Sequence, residues 1–362
     1  MKATTWIGLG LLGFSVSCRF VRSVADFYAE RLYPAISAGL SWIGSAVPFS
    51  LEEITALVFF LAYIVILVRA IRRKKGFFHW LRNTAVLTLW LLVWINLGWI
   101  DNYYRTPLLE RCGIERVHYD EETFREFLTD FTQQLNDNAA TAAPLPEKAV
   151  LEQDVKAFLN TQATRFGYAP LHSWQHPKRP LLRRFWSAVS ILGYLGPFFC
   201  ETQLNPDLTE HEYPFTLSHE TAHLTGVTSE AEANYWGYAF CRQSADPAVR
   251  YCGYLSLLPH VMSNARSLLP EEDYREWLGT VCEQARADTR ATQEHWKSLR
   301  IKPIEDAQRW VMDLFLKSHG VSAGRQDYTG VVSLVLTMDA AYGTVFSSYQ
   351  LEPIQTHNTI FN

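Results

Sequence analysis

Two apolar runs, Ile54 to Val68 and Thr84 to Ile100, constrain this chain more than any other feature of its sequence. In lipid, a segment must satisfy its own backbone polar groups, so each run reads as a membrane-crossing helix. Between them lies Arg69-Ala70-Ile71-Arg72-Arg73-Lys74-Lys75, followed by Arg82. A short loop this basic belongs in the cytoplasm by the positive-inside rule. The second run then points outward, and everything after Ile100 is expected on the extracytoplasmic side. Arg19, Arg22 and Arg31 pull the other way. The basic run is pinned between spans and the formal net charge is −4, so neither feature favours nucleic acid as a partner.

A shorter apolar run, Trp6 to Ser17, precedes these two. It is either a first membrane helix or the apolar part of a signal peptide. Ser15-Val16-Ser17-Cys18 lacks the leucine three before cysteine that marks a lipoprotein cleavage site, which favours an uncleaved helix. Ser23 to Ser50, broken at Pro34 and Pro48, suits helices lying on the membrane surface, with Tyr28, Arg31 and Tyr33 as interfacial anchors. Trp99 and Tyr103 would mark an interface at the end of the third span.

After Asp101 the composition becomes that of a water-soluble domain. The spacing predicts a helix over Asp120–Leu135, a loop over Asn136–Pro146 and a helix over Glu147–Gln162. His172 and His176 stand four apart, but Pro170 and Pro177 disfavour a helix, and a basic solvated or membrane-facing surface is the better reading of that stretch. Tyr194–Leu204 is the best strand, with Glu201 expected to face water. Val249–Leu258 reads as a core helix ended by Pro259, Pro270–Leu299 as one long polar helix, and Ile304–Lys317 as an amphipathic helix. The six cysteines contain no CxxC pair, which argues against a thiolate zinc site and leaves them as small buried hydrophobes.

Thr216-Leu217-Ser218-His219-Glu220-Thr221-Ala222-His223-Leu224-Thr225-Gly226 carries the chemistry. Residues four apart share a helix face, so His219 and His223 can offer two imidazoles to one metal ion. Glu220, one residue after the first ligand, can take a proton from a water at the metal, acting as general base and then general acid. Gly226 can end the helix, Thr228 or Ser229 can cap a second one, and Glu230 at its start is the favoured third ligand. Asn234, one turn on, would orient a ligand imidazole, whereas Glu232 points elsewhere. His260 and Asn264, or Tyr328 and Tyr342, are conceivable oxyanion-stabilising groups, although packing is the simpler role for His260 and the tyrosines.

This constellation resembles the gluzincin metallopeptidases, in which a glutamate on a following helix completes an HExxH zinc site. Glu230-Ala231-Glu232-Ala233-Asn234 is similar to the ExxAD segment of the membrane-embedded CAAX prenyl endopeptidases and their bacterial heat-shock relatives, with Asn234 where they carry aspartate. The stretch from Phe215 to Cys241, with the membrane-anchored N-terminus, also resembles an uncharacterised family of bacterial membrane proteins. The spacing from His223 to Glu230 is shorter than in most gluzincins and is similar to that of metzincins, whose third ligand is a histidine where this chain has Ser229.

The expectation is thus a mainly α protein: residues 1–104 as a membrane region with about three transmembrane helices, and residues 105–362 as an extracytoplasmic, zincin-like α+β domain with a small sheet. Its expected function is zinc-dependent hydrolysis of a peptide or protein substrate at a bacterial cell membrane, with Zn2+ held by His219, His223 and Glu230. A non-catalytic membrane scaffold and an amidohydrolase acting on a non-peptide amide are the alternatives, and the oligomeric state stays open.

Overall fold

The computed structural model describes residues 3–72, 77–141, 144–318 and 330–342. The chain opens with α1 (Ala3–Phe20), α2 (Arg22–Phe27), a π-helical turn over Tyr28–Leu32, and α3 (Tyr33–Ser45). The axis bends by 117° between Ala3–Phe20 and Arg22–Ser45, so the first apolar run is one arm of a broken or re-entrant element. Two long apolar helices follow, α4 (Leu51–Arg72), with mean hydropathy 2.6, and α5 (Phe77–Gly98). α4 buries none of its residues against protein and exposes Val58, Phe60 and Leu61, which only an apolar surround stabilises. Two or three such helices indicate a membrane association.

Beyond a 3-10 turn at Ile100–Tyr104 come α6 (Leu108–Arg111), α7 (Glu121–Thr141), α8 (Lys148–Phe166) and α9 (Arg183–Ala188). An antiparallel hairpin, β1 (Gly193–Gly196) with β2 (Glu201–Leu204), leads to α10 (Tyr213–Leu224), α11 (Glu230–Gln243) and α12 (Pro247–Leu268). α13 (Glu271–Thr280), α14 (Glu283–Leu299), α15 (Lys302–Ser318) and α16 (Gly330–Tyr342) complete the described chain. The main core lies where α10, α11 and α12 pack on one another and against α7, α8 and α16, around fully buried Phe131, Leu217, Trp236, Tyr251 and Leu257. The protein is mainly helical with one small sheet.

Several expectations are corrected by long-range contacts. α7 runs on through Asn136 to Thr141, because Asn138 accepts from Arg250 Nε and Asn136 faces the α13–α14 junction. That junction breaks the expected Pro270–Leu299 helix. Val281 is buried there, while the Asn136 side chain satisfies the Thr280 carbonyl and the Cys282 N–H. α12 passes straight through Pro259. An interior proline costs about 3 kcal/mol, which buried Leu255, Leu257, Leu258 and Val261 on either side offset. All six cysteines are free, with Cys18, Cys200, Cys241 and Cys252 buried as expected of small hydrophobes.

The expected strand Tyr194–Leu204 is a hairpin whose turn, Pro197 to Cys200, is wedged between α4 and α5. Phe198 stacks on Phe59 at 5.7 Å, its N–H donates to Glu52 Oε2 at 2.9 Å, and its carbonyl accepts from Trp94 Nε1 at 2.7 Å. Glu201 does not face water. It is buried, accepts from the Leu51 and Glu52 N–H groups, and pairs with Lys178 at 2.6 Å. Lys178 also hydrogen-bonds the outer edge of β2 through its backbone, while β1 has no second strand beside it among the described residues.

Tyr28 and Tyr33 are not interfacial anchors either, since both are fully buried. Their rings lie 6.1 Å apart across the π turn, with hydroxyls donating to Leu97 O and Leu224 O. Packing therefore crosses residue 104 at many points, including Tyr33 to Leu224 and Asp26 to Thr106.

Candidate metal centre

The site is assembled on α10, a helix buried on nearly every side. Pro214 opens its first turn, suited by a fixed φ and a missing N–H that the helix would not use. Ser218 ties it to α11 by donating to Trp236 O at 3.1 Å. At its end Gly226 adopts φ +96, a left-handed conformation that reverses the chain. The reversal returns the Val227 carbonyl to His223, whose Nδ1 lies 2.7 Å from it. With Nδ1–H donating there, Nε2 is left as the lone-pair nitrogen, which is how a ligand histidine is normally oriented.

Ser229 caps α11 by accepting from the Glu232 N–H, and Glu230 stands at N1. Its carboxylate reaches back over α10. His219 Nε2 and His223 Nε2 are 3.2 Å apart, Glu230 Oε2 lies 3.4 Å from the first and Glu230 Oε1 3.6 Å from the second. A tetrahedral zinc ion with bonds of about 2.0–2.1 Å has ligand atoms about 3.3–3.4 Å apart, so the three donors fit one ion. They are the one His/Cys/Asp/Glu group of this kind among the described residues.

The side chains differ in exposure: His219 and His223 are 12% and 7% accessible, whereas Glu230 at 64% stands at the open side. Glu220, 5% exposed, has an Oε2 with no hydrogen-bond partner, as does His219 Nδ1. Unpartnered buried polar atoms are costly and concentrate where a ligand or reaction uses them. Asn234 is the polar group that adds to the upward pull on the His219 imidazole. Glu232 turns away, accepting from Leu108 N and the Tyr168 hydroxyl.

The charges are coupled. Against a desolvation that works the other way, the His223 and His219 imidazoles hold the Glu230 carboxyl down at about 2. Burial lowers His219, but Glu230 and Glu220 outweigh it and raise its pKa. For His223 burial prevails, leaving the imidazole neutral at lower pH than usual. Burial, with the negative Glu230 nearby, pushes Glu220 up to about 8.

Three contributors come from outside the motif. Trp99 meets His223 edge to face at 5.5 Å and Tyr103 at 5.9 Å. Burial and the Glu230 charge push the Tyr103 phenol up to about 12. On the other side, a Cβ placed on Gly193 would lie 2.6 Å from Glu220 Cγ, so β1 passes directly over the Glu220 side chain. In the sequence Trp99 and Tyr103 carried only an interfacial signal and Gly193 only that of a strand boundary.

Other sequence candidates lie elsewhere. Asn264 accepts from Tyr119, just before α7, and donates to the His260 carbonyl within α12. His176 pairs with Glu152, His172 stacks on Trp174 at 4.3 Å, and Tyr342 packs under Arg165. Tyr328 lies outside the described residues. Comparison with curated proteins and with solved structures returns no match. Residues 28–336, which include the π turn, both long apolar helices and the whole triad, match the family described as "Protein of unknown function (DUF3810)", and the chain belongs to that family.

Proposed function

We propose that this protein is a membrane-anchored, zinc-dependent peptidase whose helical domain, with its small hairpin, is zincin-like. The observation that carries the reading is the pairing of three convergent metal donors with a buried carboxylate oxygen, Glu220 Oε2, that has no partner. His219, His223 and Glu230 would hold the ion. A bound zinc ion supplies Lewis acidity, lowering the pKa of a water and polarising a carbonyl.

The chain's own groups do the rest. Glu220 Oε2 takes the proton of the attacking water and returns it to the leaving amine. Tyr103, which packs on Trp99 beside His223, would be the hydrogen-bond donor for negative charge on the substrate carbonyl oxygen. The edge of β1 that no second strand pairs among the described residues lies beside Glu220 and would offer main-chain groups to an extended peptide. The basic Arg69–Lys75 loop, cytoplasmic by the positive-inside rule, supports a reading with three membrane-crossing elements in a bacterial cell and the catalytic part outside the cytoplasm.

The test is Glu220→Gln in full-length protein, assayed on a degenerate peptide library and on cell-wall amides. The variant should keep its metal and lose hydrolysis by about 10²–10⁴-fold. Unchanged hydrolysis would remove Glu220 from the chemistry. A wild type that binds zinc but cleaves neither class would favour a scaffold, and cleavage of the amides alone an amidohydrolase.

A further inference from the structure

α15 is built inside out for a helix lying against protein in water. Ile304, Ala307, Val311 and Leu314 fall on one face at helical spacing, with Trp310 beside them. That face points away from the protein: Trp310 is 67% exposed, Val311 58% and Leu314 56%. The polar side is turned inward instead. Glu305 is buried at 8% and accepts from Arg309 at 2.8 Å, with Arg300 at 3.6 Å.

The apolar face continues into a second patch. Ile301 N–H, at the start of α15, donates to Ala188 O at the end of α9. Leu181 and Leu182, just before α9, and Phe185 within it are also exposed. The Leu181 and Leu182 N–H groups and the Trp186 indole all donate to Glu53, in the first turn of α4. The patch is thereby fixed at the level where the most apolar helix of the protein enters lipid. Exposed Arg179, Arg183, Arg184 and Lys302 adjoin these apolar residues along the chain.

We propose that α15 and the Leu181–Phe185 segment form one lipid-docking face, with α15 lying in the plane of the bilayer interface, its Trp310, Val311 and Leu314 at the acyl boundary and the four cations at anionic headgroups. Three features favour lipid over another protein: continuity with α4, an apolar face bordered by cations, and Trp at the water–lipid boundary. A second copy meets this patch poorly, because a two-fold contact would bring Arg179, Arg183 and Arg184 against themselves. The proposal does not depend on metal chemistry. Its consequence is that the cleft is held at a fixed height above the membrane, so that substrates are taken close to the lipid surface.

The experiment uses full-length protein in lipid nanodiscs. Tryptophan emission of wild type minus that of Trp310→Phe isolates the one indole, and acyl-brominated phospholipids and acrylamide serve as quenchers from the two sides. The Trp310 contribution should be blue-shifted, lose most of its intensity to brominated lipid and be little affected by acrylamide. Val311→Asp with Leu314→Asp should abolish that quenching without altering thermal unfolding, because neither side chain is buried. Water-like emission quenched by acrylamide would overturn the proposal. So would shielded emission untouched by brominated lipid, which would mean that protein, from this chain or a second copy, covers the face.

Discussion

Gly193→Ala tests whether the hairpin sets the position of the proposed general base. The added methyl would lie 2.6 Å from Glu220 Cγ, 2.8 Å from Glu220 Cδ and 2.7 Å from Gln203 O. Carbon–carbon contacts settle at about 3.5–4.0 Å, so something must move by about 1 Å. Gln203 O belongs to the β1–β2 ladder and yields little, whereas Glu220 Oε2 has no partner to hold it. The carboxylate is therefore what shifts. A displacement of that size costs about 10²-fold in rate, or about 2.7 kcal/mol of transition-state stabilisation. Overpacking should lower stability by about 1–3 kcal/mol. Metal content should not change, because the three atoms nearest the methyl belong to Glu220 and Gln203 rather than to a ligand. The control is Gly196→Ala, equally crowded at 2.7 Å but against Glu52 rather than Glu220. It should lower thermal stability and leave kcat within a few-fold of wild type. A Gly193→Ala enzyme that turns over its peptide at the wild-type rate would refute the argument, as would equal loss of kcat in both variants.

Three further outcomes follow from the packing around the site. Asp101 is fully buried, accepts from Ser15 through Oδ2 and has no partner at Oδ1, and burial pushes its carboxyl from 3.8 up to about 6. A raised folded-state pKa gives stability that is full below pH 3.8 and lost as pH rises through about 6, by about 3 kcal/mol in all; Asp101→Asn should raise the unfolding temperature at pH 7 and flatten its pH dependence between pH 4 and 7. Lys178→Met leaves the Glu201 carboxylate buried without its cation. It should destabilise by about 3–5 kcal/mol, with partial recovery in the Lys178→Met/Glu201→Gln double variant, read by thermal unfolding in detergent. Burial raises the Cys241 thiol well above its ordinary pKa, so a maleimide should label Cys241 only after denaturation.

What the sequence discloses is what repeats or acts locally. α4 and α5 were legible because a long apolar run admits few alternatives in lipid, and the triad because HExxH, the turn at Gly226 and the cap at Ser229 lie within a dozen residues. The walls of the cleft were not. Tyr33 and Leu224 are 191 residues apart, and a tyrosine beside an apolar run reads equally well as an interfacial anchor or as a core residue. Glu201 likewise alternates correctly for an outward-facing strand position, and only the ends of α3 and α4 bury it. Pro259 misled because its own helix-breaking signal is local while the burial that outweighs it is not. Asn136 gives no hint that its amide satisfies a helix break 144 residues away.

Zinc content of the full-length protein, measured by elemental analysis beside a folded His223→Ala control, tests the central claim most directly. Close to one zinc per chain is expected in the wild type, lost in the control while Glu220→Gln keeps it. A folded wild type that takes up no zinc after supplementation would contradict the account and leave the His219, His223 and Glu230 cluster without its proposed role.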